Sequence, residues 1–170
     1  MFGALRTLVV DWPKVQIFQV DERVAPDRHP DRNLTGLRTA LLDHVPAVAH
    51  PLEVNPPRLD APVLPDRFDV LHLGLGDDGH TASLVPGDPV LDERERPLAL
   101  TQSYQGRARV TFTYPVIEAA RLVLWLACGP AKRDMVARAR QHDHEIPAGR
   151  VVNANQVWFV DRAADPSPQT

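Results

Sequence analysis

An apolar run, Phe68-Asp69-Val70-Leu71-His72-Leu73, breaks directly into three closely spaced glycines, Gly74, Gly76 and Gly79, and continues as His80-Thr81-Ala82-Ser83-Leu84. The run has the length and composition of a buried strand. Glycine reaches backbone conformations closed to other residues, so the chain can turn sharply here and lie against a ligand. The residues from Thr81 onward are predicted to open a helix. A strand, a Gly/Asp turn and a histidine beside a helix start place a titratable side chain at the carboxyl edge of a sheet. Open α/β sheets bind ligands at that edge.

The rest of the chain alternates in the same way. Strands are predicted over 15–20, 49–54, 98–101, 109–114, 122–127 and 156–160. Asn33 is predicted to cap a helix running to about residue 43, with Leu34, Leu37, Leu41 and Leu42 on one face. Pro115 suits the first position of a short helix over 116–120, and an Ala/Arg-rich helix follows over 131–141. Helices alternating with continuous apolar strands imply an α/β fold with a mostly parallel sheet covered on both faces. The pattern fits a single domain over 1–164 with a frayed tail over 165–170.

A hydrophobic share of 44% supports a real core. A net charge of −3 and a pI near 6.1 remove the electrostatic case for nucleic acid or an anionic membrane as partner. No apolar stretch of about 18 residues predicts a membrane span, and the start lacks the pattern of a signal peptide. Cys128 is the single cysteine, so no internal disulfide forms, and a small buried thiol in a cytoplasmic protein is expected.

His80 is the candidate general base. Imidazole titrates near neutral pH and can take a proton from water, and a helix N-terminus beside it would disfavour the protonated ring. The alternative is a histidine that only hydrogen-bonds within its turn. Asp78 or Asp77 can orient the ring as a carboxylate does in a catalytic triad. An Asx turn or a helix cap is the competing role, and for Asp77 the favoured one. His142-Asp143-His144-Glu145 and His29-Pro30-Asp31 invite a metal, but neighbours in sequence rarely converge on one ion without partners from elsewhere. No metal is expected. Gly74, Gly76 and Gly79 fit the spacing of a dinucleotide fingerprint, yet no acidic residue stands about twenty positions on, where another apolar run begins at Leu98. No cofactor is expected. Trp12, Trp125 and Trp158 are scattered and read as packing residues.

The turn resembles the Asp-Gly-His-Thr-Ala-Ser-Leu motif of the 6-phosphogluconolactonases, within the glucosamine/galactosamine-6-phosphate isomerase-like superfamily. Four further blocks fit that family in order: the strand and Asp21-Glu22-Arg23 loop within 12–33, an Arg-x-Thr-x-Thr strand from Arg109, a strand-Gly-x-x-Lys turn ending at Lys132, and a Pro-Ala loop at 146–151. The resemblance implies a three-layer Rossmann-like domain. It implies hydrolysis of 6-phospho-D-glucono-1,5-lactone to 6-phosphogluconate, in the oxidative branch of the pentose phosphate pathway. It places Asp21 and Arg23 beside the substrate, and Arg109, Lys132, Gly76 and Gly79 at its phosphate. Salt-bridge or solvent-facing roles are the alternatives for these charged side chains.

Two departures stand out. Nothing matches the family's first strand and Ser-Gly-Gly loop, and residues 1–5 look like the helix that follows it, so an N-terminally truncated form is expected. It would be a monomer, or a dimer through the exposed sheet edge. Where the family has a helix, Pro51, Pro56, Pro57, Pro62 and Pro65 predict an irregular connector. A related amino-sugar-phosphate deaminase would carry a glutamate where Val85 stands. An inactive phosphosugar-binding remnant is the third possibility.

Overall fold

Successive side chains of a strand point to opposite faces, and that alternation decides which of them reach the site. The computed structural model describes residues 1–60 and 63–167; Pro62 of the connector, and Pro168, Gln169 and Thr170 of the tail, lie outside them. The strands in chain order are β1 (Gln16–Phe18), β2 (Asp21–Arg23), β3 (Val48–His50), β4 (Leu71–Gly74), β5 (Leu98–Leu100), β6 (Arg109–Phe112), β7 (Val123–Ala127) and β8 (Gln156–Val160). β4, β7 and β8 form a parallel sheet in that order, and β1 pairs β3 in parallel. Leu71 and Leu73 of β4 and Val123, Trp125 and Ala127 of β7 are buried. The period of two that puts them on one face is the signature of a pleated strand. Trp125 stands opposite Trp158 in the β7–β8 register, and their rings stack at 4.5 Å.

The mixed α/β class and the parallel pairs agree with the sequence. A second sheet, antiparallel and ordered β2–β6–β5, does not follow from it. The predicted strand over 15–20 ends at Phe18, and Asp21-Glu22-Arg23, read as a loop past its end, is a strand of this other sheet. The helices are α1 (Phe2–Leu5), α2 (Asn33–Leu37), α3 (Tyr114–Ala119) and α4 (Arg133–Arg140). α2 passes into a π-helical turn, Arg38–Leu42, and α4 is entered through a 3-10 turn, Pro130–Lys132. No helix begins at Thr81. Thr81 and Leu84 exchange backbone hydrogen bonds across a tight turn at 2.9 and 3.3 Å, with Ala82 at φ +49°. The predicted helix dipole beside His80 is therefore absent. Cys128 is exposed rather than buried, because it lies past the end of β7.

Glu22 explains how β2 and α2 are joined. Its side chain is fully buried, opposite Val110 on the core side of the β2–β6 pair. A buried carboxylate is tolerated only when donors replace its water. Glu22 Oε1 accepts from the Arg23 and Asn33 backbone N–H groups, each at 2.7 Å. Its Oε2 accepts from Leu34 N–H at 2.8 Å and Gln19 Nε2 at 3.0 Å, with Arg32 Nε 3.1 Å away. Two of these donors are the first backbone N–H groups of α2, which a helix cannot satisfy itself. Glu22 thus does the capping predicted for Asn33.

The structure contains no helix long and apolar enough to cross a membrane among the described residues. Glu22→Ala takes the Glu22 partner from the buried Arg32, leaving it only Asp27 at 2.8 Å, and uncaps the start of α2. It is expected to lower unfolding free energy by about 3–5 kcal/mol, read from the urea midpoint, with Glu22→Gln losing less.

Candidate active site

The antiparallel register of β2 and β6 sets Asp21 opposite Thr111 and Arg23 opposite Arg109. Residues two apart on a strand share a face, so Asp21, Arg23 and Arg109 project together on the side away from Glu22. Two guanidinium groups side by side repel unless an anion lies between or beside them. Arg109 is 4% exposed, and its Nε has no hydrogen-bond partner. Burial, then the Arg23 charge, pull its ionisation downward, partly offset by Asp21 and Tyr104. Arg23 is braced by Asn33 Oδ1 at 3.1 Å and by the Asp31 carbonyl at 2.9 Å. Asn33 Nδ2 in turn donates to Asp21 Oδ1 at 3.1 Å. Freed from capping by Glu22, the Asn33 side chain is a site residue that the sequence did not single out.

β4 delivers the second half. At its carboxyl end the chain folds back, with Gly76 N–H donating to the His80 carbonyl at 2.8 Å and Gly79 N–H to the Gly76 carbonyl at 3.1 Å. A Cβ at Gly76 would collide with the His80 ring and the Asp78 carboxylate. Gly76 is therefore needed so that the ring can lie over the turn. Gly79 takes φ +82° and packs against Ile146, where a Cβ would come within 2.6 Å. It shapes the turn from behind and does not line the cleft. Its carbonyl accepts from Ala148 N–H at 3.0 Å, so the late Pro-Ala loop pins the turn.

Asp78 Oδ1 lies 2.6 Å from His80 Nδ1 and accepts from His80 N–H at 3.1 Å. Tyr104 Oη donates to the other carboxylate oxygen at 2.9 Å. Burial pushes the Asp78 carboxyl up, but these three donors together outweigh it and hold the group below the usual range. Asp78 is thus an anion facing an imidazole. Lys132, brought to the same edge by the turn after β7, pairs with Asp77. Asp77 is thus a charge partner of Lys132, where the sequence favoured an Asx turn or a helix cap, and no helix starts here for it to cap. The Thr-Ala-Ser stretch serves the site through its hydroxyls. Thr81 Oγ1 donates to the Gly74 carbonyl at 2.9 Å and Ser83 Oγ to Asp21 Oδ2 at 2.6 Å. Ser83 N–H donates to Thr111 Oγ1 at 3.1 Å, which ties the turn to β6.

These groups line one cleft of about 560 Å³, bounded by Asp21, Arg23, Gly76, Asp78, His80, Arg109 and Lys132, with Asn33, Tyr104 and Gln105 added by the structure. That volume suits a small sugar phosphate. The predicted site residues converge, Gly79 alone standing behind the wall. The discounted metal clusters have other partners: Asp143 accepts from Arg138 Nε at 2.6 Å, and Asp31 accepts from Arg107 Nε at 2.8 Å. Among the described residues no three His, Cys, Asp or Glu side chains stand together as a metal site.

Residues 1–159 match the family model described as glucosamine-6-phosphate isomerases/6-phosphogluconolactonase. The 6-phosphogluconolactonase of Nostoc sp. (strain PCC 7120) is 33% identical, over 96% of this chain and 78% of the relative. That of Mycobacterium tuberculosis is 35% identical, over 91% and 74%. A solved structure from Neisseria gonorrhoeae, a putative 6-phosphogluconolactonase, superposes with a TM-score of 0.80 at 29% identity, over 94% of this chain and 78% of that one.

Asp21 supplies a pH test. Burial raises its carboxyl, a shift only partly opposed by the Ser83 hydrogen bond and the Arg109 charge. A folded-state pKa above the unfolded one means that the folded state holds the proton more tightly, so Asp21 stabilises the fold in acid and that stabilisation is lost as pH rises. Asp21→Asn is expected to melt at or above the parent temperature at pH 7. The difference should shrink towards pH 4 when melting curves are compared.

Proposed function

The chain belongs to the glucosamine-6-phosphate isomerase/6-phosphogluconolactonase family, and from that premise we propose that it hydrolyses 6-phospho-D-glucono-1,5-lactone through water activated by His80. The observation that carries this reading is the 2.6 Å contact between His80 Nδ1 and Asp78 in a cleft that also holds Arg23, Arg109 and Lys132. With Nδ1–H directed to the carboxylate, Nε2 keeps its lone pair and can accept a proton.

His80 Nε2 takes a proton from water as the oxygen attacks the lactone carbonyl carbon. The carbonyl π pair moves to oxygen, and the Arg23 guanidinium and turn N–H groups stabilise that oxyanion. The intermediate collapses, the bond from the carbonyl carbon to the ring oxygen breaks, and the protonated ring returns its proton to the leaving alkoxide. The product is a carboxylic acid with a free hydroxyl, and the acid ionises in neutral water. Asp78 balances the transient imidazolium charge.

Arg109 and Lys132 hold the phosphate. Arg109 brings an unsatisfied Nε, and Lys132 exchanges Asp77 for the ligand. These local cations attract the substrate, since the chain as a whole is at −3. Ammonia-releasing chemistry of the related deaminases has no support at Val85, which is buried in the core and carries no carboxylate.

The test is formation of 6-phosphogluconate above the spontaneous rate. His80→Ala is expected to remove at least about a hundredfold of the enzymatic rate, in line with the loss of a general base. Lys132→Met should raise KM by about tenfold with kcat little changed, as a lost ground-state contact does. Full activity in His80→Ala would overturn the mechanism.

A further inference from the structure

β5 and β6 are joined by a hairpin whose tip enters the cleft. Tyr104 N–H donates to the Arg107 carbonyl at 2.9 Å and Arg107 N–H returns to the Tyr104 carbonyl at 3.3 Å. The two residues between them, Gln105 and Gly106, both take positive φ, +52° and +83°. That backbone matches the twist of the flanking strands and gives the tip one shape. Arg107 fastens it from outside the cleft by donating from Nε to Asp31 at 2.8 Å.

The tip presents Tyr104 to both halves of the site. Its hydroxyl donates to Asp78 Oδ2 at 2.9 Å, and its ring meets the His80 ring edge to face at 5.5 Å. The Arg109 guanidinium lies 4.9 Å from its centroid. Gln105 Nε2 donates to the hydroxyl at 3.3 Å, so the phenol has a donor of its own and turns its proton to Asp78.

We propose that Tyr104 is a positioning residue for hydrolysis: its hydroxyl fixes the plane of the Asp78 carboxylate, which keeps Oδ1 on His80 Nδ1 and Nε2 free for water. The need for such a residue is geometric. The Asp78 side chain is 38% exposed, and its other donors both belong to His80, two residues away. The terminal torsion of a carboxylate has a broad energy well, so two donors crowded on one oxygen leave the other free to swing. Tyr104 supplies the distant anchor, from 26 residues along the chain. Desolvation and the Asp78 contact both raise the ionisation of the phenol, which keeps it a donor. Asp77, Lys132 and Arg109 are the other charged groups on this part of the cleft wall, and none donates to Asp78 Oδ2.

The kinetic side of the proposal rests on the lactonase reading, whereas its spectroscopic side does not. Tyr104→Phe is compared with the parent in two measurements. Turnover of the lactone should show kcat lowered by about tenfold with KM changed less than twofold, the pattern of a group that acts on the reacting geometry. Nitrogen-15 NMR of the neutral histidine rings, with His80 assigned by its loss in His80→Ala, should show the parent ring with its proton on Nδ1 and the variant as a tautomer mixture. Unchanged kcat with an unchanged ring overturns the proposal, and so does an effect on KM alone. If the parent fails to hydrolyse the lactone, the lactonase reading falls while the ring comparison still decides the role of Tyr104. If Tyr104→Phe does not fold, Arg107→Ala loosens the same tip without removing a cleft side chain. It should give a smaller tautomer shift, and a parent-like ring there overturns the proposal.

Discussion

The buried carboxylate of Glu22 is the contact on which the arrangement of this molecule depends. It binds its own strand through Arg23 N–H, the start of α2 through Asn33 and Leu34 N–H, and the side chains of Gln19 and Arg32. Gln19 carries the link further, because its Oε1 accepts from Leu52 N–H at 3.1 Å. One anion thereby organises β2, α2 and the segment after β3. Removing it from water is expensive, and the expense is met by a full set of donors instead of by a single partner. A second result follows from this. With the helix start satisfied, Asn33 turns its amide to Asp21 and Arg23.

Period-two geometry then separates structure from chemistry along three consecutive residues. Glu22 faces the core while Asp21 and Arg23 face the cleft, and the antiparallel partner repeats the division with Val110 inward and Arg109 and Thr111 towards the site side. Arg23 and Arg109 are held opposite each other before any ligand arrives. The repulsion between them is part of the cost of folding, and it is moderated by Asp21 and by the Tyr104 ring. An anion that enters finds donors already oriented, which lowers the ordering cost of binding.

Much of this could be read from the residues. The final strand, the apolar β7 and the Gly-rich turn carrying His80 have strong local signals, and local signals sufficed. Where the reading failed, a distant partner decided. The stretch from Thr81 reads as helix because Thr, Ala and Ser before an apolar residue look like a helix start. In the fold the Thr81 and Ser83 hydroxyls are taken by Gly74 and Asp21, and the backbone closes into a turn. Asn33 reads as a cap because nothing in its own neighbourhood reveals Glu22, which does the capping from eleven residues earlier. Tyr104 carries no sequence signal beyond a glycine two residues on. Its contact with Asp78 spans 26 residues and joins the hairpin tip to the turn after β4, which no local pattern shows.

The distances along the chain at which the site is assembled have a kinetic consequence. Ser83 meets Asp21 across 62 residues, and Arg107 meets Asp31 across 76. Contacts of that span form late, because the entropy of closing such loops is lost before the contact returns anything. The parallel pairings of β1 with β3 and of β4 with β7 are likewise remote in sequence. A half-folded chain would expose apolar strands while holding only scattered pieces of the cleft. Anion affinity and native topology therefore mature together, and a bound sugar phosphate favours only the state in which every segment has found its neighbour.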